Sequence, residues 1–271
     1  MSPRWRDEVA IYLAPRKLAL VRRRRGIRGR VVAATELGLA IPGGGSNDVG
    51  PVLALLADLL GEPTWQRAAA RVVVADHAWT RYAVVPWPEA RLDGAGRLAH
   101  ARCVLADAYG EAVADWEVAL ADAPPGRPCV ACAMPGSLRA AVEGTLAPAR
   151  LALVSLQPQL VVAFNAWRHR LPADDVWFVT VDDGVLSAVH VTDGAWDRVH
   201  TARLSPNGML ELERLQAFAR VTGAAGGPGR VYVDAPPWMR RTAAAGAGID
   251  WLEEGEGARK RELALLEGIS A

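Results

Sequence analysis

Apolar and polar residues alternate with the two-residue period of a β-strand near the start of each half of the chain. In the first half this alternation predicts consecutive strands at residues 9–13, 18–22 and 31–35. Residues 176–204 carry the same pattern three times over. In each half an apolar segment with helical spacing follows the third strand. The sequence therefore predicts one unit, a strand meander that leads into a helix, present twice.

Local signals predict where other elements begin and end. Asp48 or Asn47 is placed to cap a helix that Gly61 stops, and Asp93 is placed to cap a helix over residues 93–109. Further strands are predicted at 72–75, 82–85, 116–120, 129–133, 151–156, 230–233 and 249–252, and further helices at 137–144, 158–167 and 209–221. This mixture of strands and helices indicates an α/β fold.

The dipeptide Asp193-Gly194 is a strong signal for a two-residue hairpin turn. With that turn and a regular ladder, His190 lies opposite Asp197 and His200 lies opposite Ser187, as ordinary cross-strand pairs. The five histidines do not cluster in the sequence. We therefore expect no catalytic residues and no metal site.

The composition is that of an ordinary globular protein, with 51% hydrophobic and 23% charged residues. A formal net charge of +1 argues against a general attraction to nucleic acid. Three cysteines are too few for a disulfide framework, which favours a reducing compartment. The N-terminus has no apolar core of a secretory signal, and the longest uncharged run, 151–167, is shorter than the ~20 apolar residues of a membrane-spanning helix. We expect a cytoplasmic protein.

Cys129 and Cys132 have the spacing of a zinc or redox motif. Only Cys103 remains as a further cysteine ligand. The pair also lies in a predicted strand, where residues three apart point to opposite faces. We therefore expect core cysteines.

Residues 1–30 carry a local excess of positive charge. Six arginines surround the turn predicted between the second and third strands: Arg22, Arg23, Arg24, Arg25, Arg28 and Arg30. Such a basic hairpin tip binds anionic lipid headgroups at ~1 kcal/mol per basic residue. Binding of an acidic segment of a partner protein is an equally good interpretation, and so is a solvated hairpin tip that binds nothing.

Four segments of the chain follow one another in a distinctive order. They are VVVADHAWTRYAVVPWP (72–88), ARCVLADAYGEAVADWEVAL (101–120), ACAMPGSLRAAVEGTL (131–146) and LALVSLQPQLVVAFNAW (151–167). Together with the repeated meander, they resemble the PilM and GspL-type proteins of type IV pilus and type II secretion platforms. The resemblance implies a duplicated actin-like (ribonuclease H-like) core, with a subdomain inserted at about 76–126 and a reduced second half. The halves then span residues 1–172 and 173–271.

The resemblance also implies a function as a scaffold. Proteins of this kind dock the cytoplasmic tail of a bitopic membrane partner and tie a pilus or secretion motor to the inner membrane. We expect the tail to bind between the first-half core and the insert, through apolar anchors and an edge strand. Trp79 and Trp87 are candidate anchors, and Arg81 is placed to hold an acidic residue of the tail. Packing in the core or at a hinge is the alternative for both tryptophans.

In actin-like ATPases, a turn after the first strand of each half holds the nucleotide phosphates. In the second half, Asp182, Asp183 and Gly184, with Ser187 nearby, have the form of such a turn. An ordinary hairpin turn between two strands, with no role in binding, favours the same residue types and is the alternative. In the first half, residues 13–16 (Leu-Ala-Pro-Arg) stand in that place, and a proline supplies no backbone N–H for a phosphate.

Two more departures from the ATPase pattern point the same way. Residues 234–238 (Asp-Ala-Pro-Pro-Trp) replace the glycine pair expected beside the adenosine, and the second half is short for the usual inserted subdomain. We therefore expect a degenerate ATPase without a nucleotide cofactor. One alternative is a genuine nucleotide-binding ATPase that uses Asp182 and Gly184. Another is a membrane-surface adaptor that uses the arginine hairpin at 22–25.

Overall fold

The computed structural model describes residues 7–24, 30–40, 48–172, 175–182, 184–205, 210–222, 230–242, 249–252 and 266. The chain divides into two compact units. The first unit is drawn from Met1–Trp79, Gly136–Ala166 and Glu256–Ala271, and the second from Thr80–Pro135 and Trp167–Gly255. The division into halves at residue 172 stays a prediction.

The described residues form strands and helices that include every element predicted above, with ends shifted by a few residues. The strands are β1 (Glu8–Ala14), β2 (Lys17–Arg24), β3 (Arg30–Gly38), β4 (Ala69–Val74), β5 (Arg81–Val85), β6 (Trp116–Leu120), β7 (Cys129–Pro135), β8 (Ala152–Pro158), β9 (Val176–Asp182), β10 (Val185–Thr192), β11 (Ala195–Arg203), β12 (Arg230–Asp234) and β13 (Ile249–Trp251). The helices are α1 (Gly50–Leu60), α2 (Asp76–Trp79), α3 (Gly94–Tyr109), α4 (Gly136–Leu146), α5 (Gln159–Trp167), α6 (Leu210–Thr222) and α7 (Pro237–Thr242).

The first unit is built on a five-stranded sheet with the strand order β3-β2-β1-β4-β8. The three strands of the meander pair antiparallel, whereas β4 pairs parallel with both β1 and β8. Every residue of β1 is buried, which is the pattern of a central strand covered on both faces. The edge strands β3 and β8 instead alternate between more and less exposed residues.

The second unit repeats this architecture. Its five-stranded sheet has the order β11-β10-β9-β12-β13, with an antiparallel meander and the parallel pairs β9–β12 and β12–β13. The central strand β9 is again buried along its whole length. Position by position, the two sheets have the same order and the same strand directions. The duplicated α/β core predicted from the repeated pattern is therefore confirmed.

A third sheet contains β5 and β6, which lie in the segment predicted as the insert, and β7, which follows that segment. It has the antiparallel order β5-β7-β6. Helix α3 packs on one face of this sheet, where Ala101 and Leu105 meet Ala83, Ala131 and Ala133. Alanines on the strands let the helix approach the sheet closely, so this small layer has a core of its own.

Two of the predicted helix ends are confirmed and one is wrong. The Asp93 side chain accepts a hydrogen bond from Gly96 N at 2.7 Å and caps α3, and Gly61 follows the last residue of α1. At the start of α1, however, the cap position is Val49. Asp48 stands one residue earlier, and its Oδ1 accepts from Gly50 N at 2.9 Å. Asn47 lies outside the described residues.

The hairpin at Asp193-Gly194 is confirmed, but its register is not the predicted one. Both turn residues have positive φ, 51° and 73°, as a type I′ turn requires. Beyond the turn the register shifts, because His190 pairs with Arg198 and the extra residue Asp197 forms a β-bulge. Consequently His200 stands opposite Ala188 rather than Ser187.

Among the described helices, none combines the length and the apolar character that crossing a membrane requires.

Candidate functional site

The turn after β1 in the first unit consists of Pro15 and Arg16. Ala14 pairs with Lys17 on either side of it, so the turn contains only two residues. The Arg16 carbonyl accepts a hydrogen bond from Leu39 N at 2.8 Å. Pro15 has no backbone N–H, so half of this turn offers nothing to a phosphate.

The turn after β9 in the second unit has the same construction. Asp182 pairs with Val185, and the Gly184 carbonyl accepts from Leu204 N at 2.8 Å. By this register, Gly184 takes the place that Arg16 has in the first unit, and Asp182 takes that of Ala14. Gly184 has φ 76°, a left-handed conformation that glycine adopts without strain. The middle residue, Asp183, lies outside the described residues.

Buried polar groups lie at the carboxyl ends of the parallel strands in the first unit, and they bond to one another. Tyr12 donates to Gln159 Oε1 at 3.1 Å, and Asp76 Oδ1 accepts from Leu160 N at 3.2 Å. Tyr12, Asp76 and Gln159 are each at most 4% exposed. This edge of the first sheet is therefore occupied by an internal hydrogen-bond network, as buried polar groups require.

The corresponding edge of the second sheet is more acidic. Asp182 ends β9 and Asp234 ends the parallel neighbour β12, and they are 6% and 5% exposed. Asp234 stands opposite Thr180, and Ser187 lies across from Thr180 on the other side. Two buried carboxylates suit a hydrated cation, and the positive-φ turn at Gly184 is the part that could approach a phosphate. The strand pairing brings Ser187 and Asp234 next to Thr180, two residues before Asp182, while the assignment of Asp182, Gly184 and Ser187 to a nucleotide stays a prediction.

The chain after β12 does not continue as a glycine-rich turn. Ala235 is buried, and Pro236 and Pro237 follow it before α7. Neither proline carries a backbone N–H, and the carbonyl of Pro236 accepts from Met239 N at 3.0 Å. The residues present therefore do not fit the close backbone approach that an adenosine-binding glycine pair allows.

The partner-binding residues predicted around β5 occupy different environments. Trp79 is 3% exposed, whereas Trp87 is 40% exposed. The Arg81 guanidinium lies 5.8 Å from the Tyr109 ring and 5.5 Å from the Trp116 ring, and it donates to Thr80 O at 2.7 Å. Trp87 is therefore the predicted aromatic anchor that solvent reaches, while Arg81 is held between two rings.

Trp87 borders a small pocket of about 260 Å³ within the insert. Its apolar wall includes Leu98 and Leu120, and Arg97 and Arg127 contribute positive charge. Pro86, Trp87 and Pro88 form another side, and such rigid residues lose little entropy on binding. This volume suits one or two side chains of a peptide rather than a whole nucleotide.

The three cysteines are thiols, and no disulfide joins them. Cys103 is exposed, and Cys129 and Cys132 are half-buried, so the cysteines of β7 are less deeply buried than predicted. Burial raises the pKa of the Cys129 thiol, which opposes the thiolate form used in redox and metal chemistry. Among the described residues, no group of three or more His, Cys, Asp and Glu side chains is arranged to hold a metal ion.

One member of the arginine patch, Arg22, bonds to other segments of the first unit. Arg22 donates through Nη2 to Asp7 Oδ2 at 2.8 Å and through Nη1 to Gln66 O at 3.0 Å and to Thr64 O. Its side chain is only 15% exposed. Of the other predicted members, Arg24 and Arg30 are exposed, and Arg25 and Arg28 lie outside the described residues. Arg22 is therefore part of the first unit's structure and is not placed to meet a lipid surface.

One feature that the sequence did not reveal is a groove in the second unit. It has a volume of about 810 Å³ and lies between helix α6 and strand β11, with Val84 of β5 at its border. Trp177 and Phe218 line it, and so do Arg198 and Arg214. We call it the α6 groove. The predicted register hid it, because without the bulge Arg198 would point to the opposite face of β11.

Comparisons with solved structures agree with this architecture. The chain is similar to the protein in the PilM–PilN type IV pilus biogenesis complex, at 16% identity and a TM-score of 0.63, covering 90% of this chain and 88% of that one. It is also similar to the cytoplasmic domain of EpsL, an inner-membrane component of the type II secretion system of Vibrio cholerae. That match has 12% identity, a TM-score of 0.63, and covers 98% of this chain and 95% of that one.

A third similar structure is a Bacteroides thetaiotaomicron protein with an actin-like ATPase fold and unknown function. It matches at 8% identity and a TM-score of 0.59, covering 88% of this chain and 86% of that one. No protein-family model and no curated protein matches the chain. The chain has the actin-like fold. Within that class, its fold is the one found in PilM and in the cytoplasmic domain of EpsL, as the sequence resemblance predicted.

Proposed function

We propose that this chain is a non-catalytic actin-like scaffold of a pilus or secretion platform at the inner membrane. It acts on the cytoplasmic side, bound to a membrane protein through that protein's cytoplasmic tail. The observation that carries the non-catalytic part is the turn after β1. Both units build this turn in the same way, yet the first uses Pro15 and Arg16 where the second ends in Gly184. A nucleotide bridged by two phosphate turns therefore lacks one of the backbone donors of the first turn.

The partner is a bitopic membrane protein of the same machine, and its tail docks on the insert. Support for this part is the fold shared with a protein whose solved structure is a complex, together with the surface around Trp87. An apolar side chain of the tail enters the pocket beside Trp87, and an acidic neighbour meets Arg97. Ordering a flexible tail has an entropic cost, so the affinity is modest.

Titration calorimetry with magnesium and ATP tests the non-catalytic part. We expect no saturable heat with ATP up to about 1 mM, which corresponds to a binding free energy weaker than about 4 kcal/mol. One-to-one micromolar binding would overturn this part of the proposal.

Retention of membrane proteins on the immobilised chain tests the partner part. The wild type is expected to retain a bitopic protein with a short tail from detergent-solubilised inner membranes. Trp87→Ala should lower this retention about tenfold, as the loss of an aromatic anchor predicts. Trp238→Ala is the matched control, because Trp238 is also exposed, at 48%, but lies on α7. Equal loss with both variants would refute the assignment of Trp87.

A second candidate function is a nucleotide-binding ATPase that uses the second unit. The buried carboxylates of Asp182 and Asp234, beside Gly184, favour it. In that case ATP binding depends on magnesium and is lost in Asp182→Ala, whereas Asp48→Ala, an exposed carboxylate in the first unit, binds as the wild type does. The same calorimetry therefore separates the two functions.

A further inference from the structure

The α6 groove exists because the helix does not cover the edge of the sheet. Trp177, Leu186 and Ala188 lie on the face that α6 covers, and each is at most 2% exposed. On the neighbouring edge strand β11, the same face carries Arg198 and His200, which are both exposed. Apolar packing therefore stops one strand short of the edge and leaves a channel along β11.

The floor and the helical wall of this channel are aromatic. The rings of Trp177 and Phe218 meet edge to face, with 6.0 Å between their centroids and an angle of 70°. Phe218 is nevertheless 45% exposed, so the helical wall of the channel presents part of an aromatic ring to solvent.

The charges at the rim are predominantly positive on the solvent side. Arg198, Arg203 and Arg214 border the groove and are exposed. The two carboxylates that also line it each lie within hydrogen-bond distance of a neighbouring side chain. Asp197 Oδ1 lies 2.6 Å from His190 Nδ1, and Glu211 Oε2 accepts from Ser205 Oγ at 3.0 Å. Asp197 also lies 4.0 Å from Arg198, which is the limit of an ion pair.

The β-bulge is what brings cation and ring together. With a regular ladder, Asp197 would stand opposite His190, and Arg198 would point to the other face of the sheet. The inserted residue brings Arg198 to the groove face, with its guanidinium 5.6 Å from the centre of the Phe218 ring. Bulges commonly re-aim a side chain at a functional surface.

We infer that the α6 groove binds an amphipathic helical segment of a partner protein whose polar flank is acidic. The apolar side of that helix lies on Trp177 and Phe218, and its carboxylates pair with Arg198 and Arg214. A groove of about 810 Å³ with an aromatic wall takes the apolar face of a short helix, which is one of the common modes of peptide recognition. Positive rim charges select an acidic segment through charge complementarity. This surface is distinct from the pocket beside Trp87, so a scaffold with both binds two partners.

Fluorescence anisotropy with the full chain tests this inference. The probe is a labelled helical peptide of about 16 residues, with leucines at i, i+3, i+4 and i+7 and glutamates on both flanks. Its twin carries lysines in place of the glutamates. We expect saturable binding of the acidic peptide below about 100 µM, binding at least about tenfold weaker for the lysine twin, and weaker binding of the acidic peptide as salt increases.

Two variants locate the binding surface. Phe218→Ser and Arg198→Glu should each weaken the acidic peptide about tenfold or more. The matched controls are Trp238→Ala for an exposed aromatic and Arg139→Glu for an exposed arginine, and each should change the affinity less than about twofold. Circular dichroism establishes that the variants are folded.

Three results would overturn the inference. One is the absence of saturable binding of the acidic peptide up to about 500 µM, and another is equal affinity for the two peptides. The third is self-association of the chain that Phe218→Ser abolishes, measured by sedimentation, since it would assign the groove to a second copy. None of these outcomes depends on ATP or on retention through Trp87, so the proposed function is tested separately.

Discussion

Replacing Arg22 is expected to destabilise the first unit much more than replacing its neighbour in the arginine patch. Arg22→Ala removes an ion pair with Asp7 and two hydrogen bonds from a guanidinium to the carbonyls of Thr64 and Gln66. A hydrogen bond to a charged group contributes about 1.5–3 kcal/mol, and a partly exposed ion pair about 0–1 kcal/mol. Because water replaces part of these contacts, we expect a loss of about 3 kcal/mol.

Thermal and urea unfolding, followed by circular dichroism, measure this loss. For a chain of this size, 3 kcal/mol lowers Tm by about 6–12 °C. Arg22→Lys should retain little of the stability, since an ammonium group cannot reproduce the fork of the guanidinium.

Arg24→Ala is the control, because Arg24 is exposed on the same strand and its loss should change stability by less than about 0.5 kcal/mol. If Arg22→Ala is as stable as Arg24→Ala, the structural role of Arg22 is wrong. If Arg22→Ala is instead as stable as the wild type but loses binding to anionic liposomes, the membrane-adaptor alternative gains support.

The remaining predictions concern thiols, glycines and pH. Alkylation followed by mass spectrometry should modify the exposed Cys103 before Cys129, whose pKa is raised by burial; faster modification of Cys129 would contradict this. Gly194→Ala should destabilise the protein by about 1 kcal/mol, because Gly194 has φ 73°, whereas Gly144→Ala in helix α4 should stabilise it by about 0.5–1 kcal/mol. The added Cβ meets nothing within 4 Å at either site, so the two variants differ in backbone conformation and not in packing. Equal melting temperatures of the two variants would refute this argument. Desolvation raises the pKa of Glu211, but hydrogen bonds from Ser205 and the charge of Arg214 outweigh it, so the pKa lies below its usual value. The stabilisation is therefore present above the unfolded pKa of about 4.3 and is lost as the pH falls through the folded pKa. Glu211→Gln should lower Tm at neutral pH, and this difference from the wild type should shrink as the pH is lowered; a difference that does not change with pH would show that ionisation is not involved.

Much of the fold followed from local sequence signals. The two-residue period of the strands, the Asp93 cap and the Asp193-Gly194 turn each act over a few residues, and each is found in the structure. The duplication was also predictable, because a repeated order of elements is visible without any contact between them. The helix start at Asp48 was missed by one residue, since several residues near a helix start compete for its N–H groups.

The candidate sites were predicted less completely. The sequence identified the residues of the turns after β1 and β9, because a turn is formed by residues that are neighbours in the sequence. It did not reveal that Asp234 joins Asp182 at one sheet edge, because that depends on β9 and β12 being parallel neighbours. It also could not separate the buried Trp79 from the exposed Trp87, or the anchored Arg22 from the exposed Arg24. Burial depends on the elements packed above a residue, which a single strand pattern does not contain.

The sequence by itself determined the period of each strand, the two-residue turns, and the proline that leaves the first turn without one of its N–H groups. Only the tertiary structure decided the register of β11 against β10. A single bulged residue, Asp197, reverses the faces of the residues beyond it and brings Arg198 over Phe218. The reason is that side chains along a strand alternate with a period of two, so one extra residue exchanges the two faces of the strand. Whether the strand accepts such a bulge depends on contacts with other strands, far from the turn, that the local sequence does not contain.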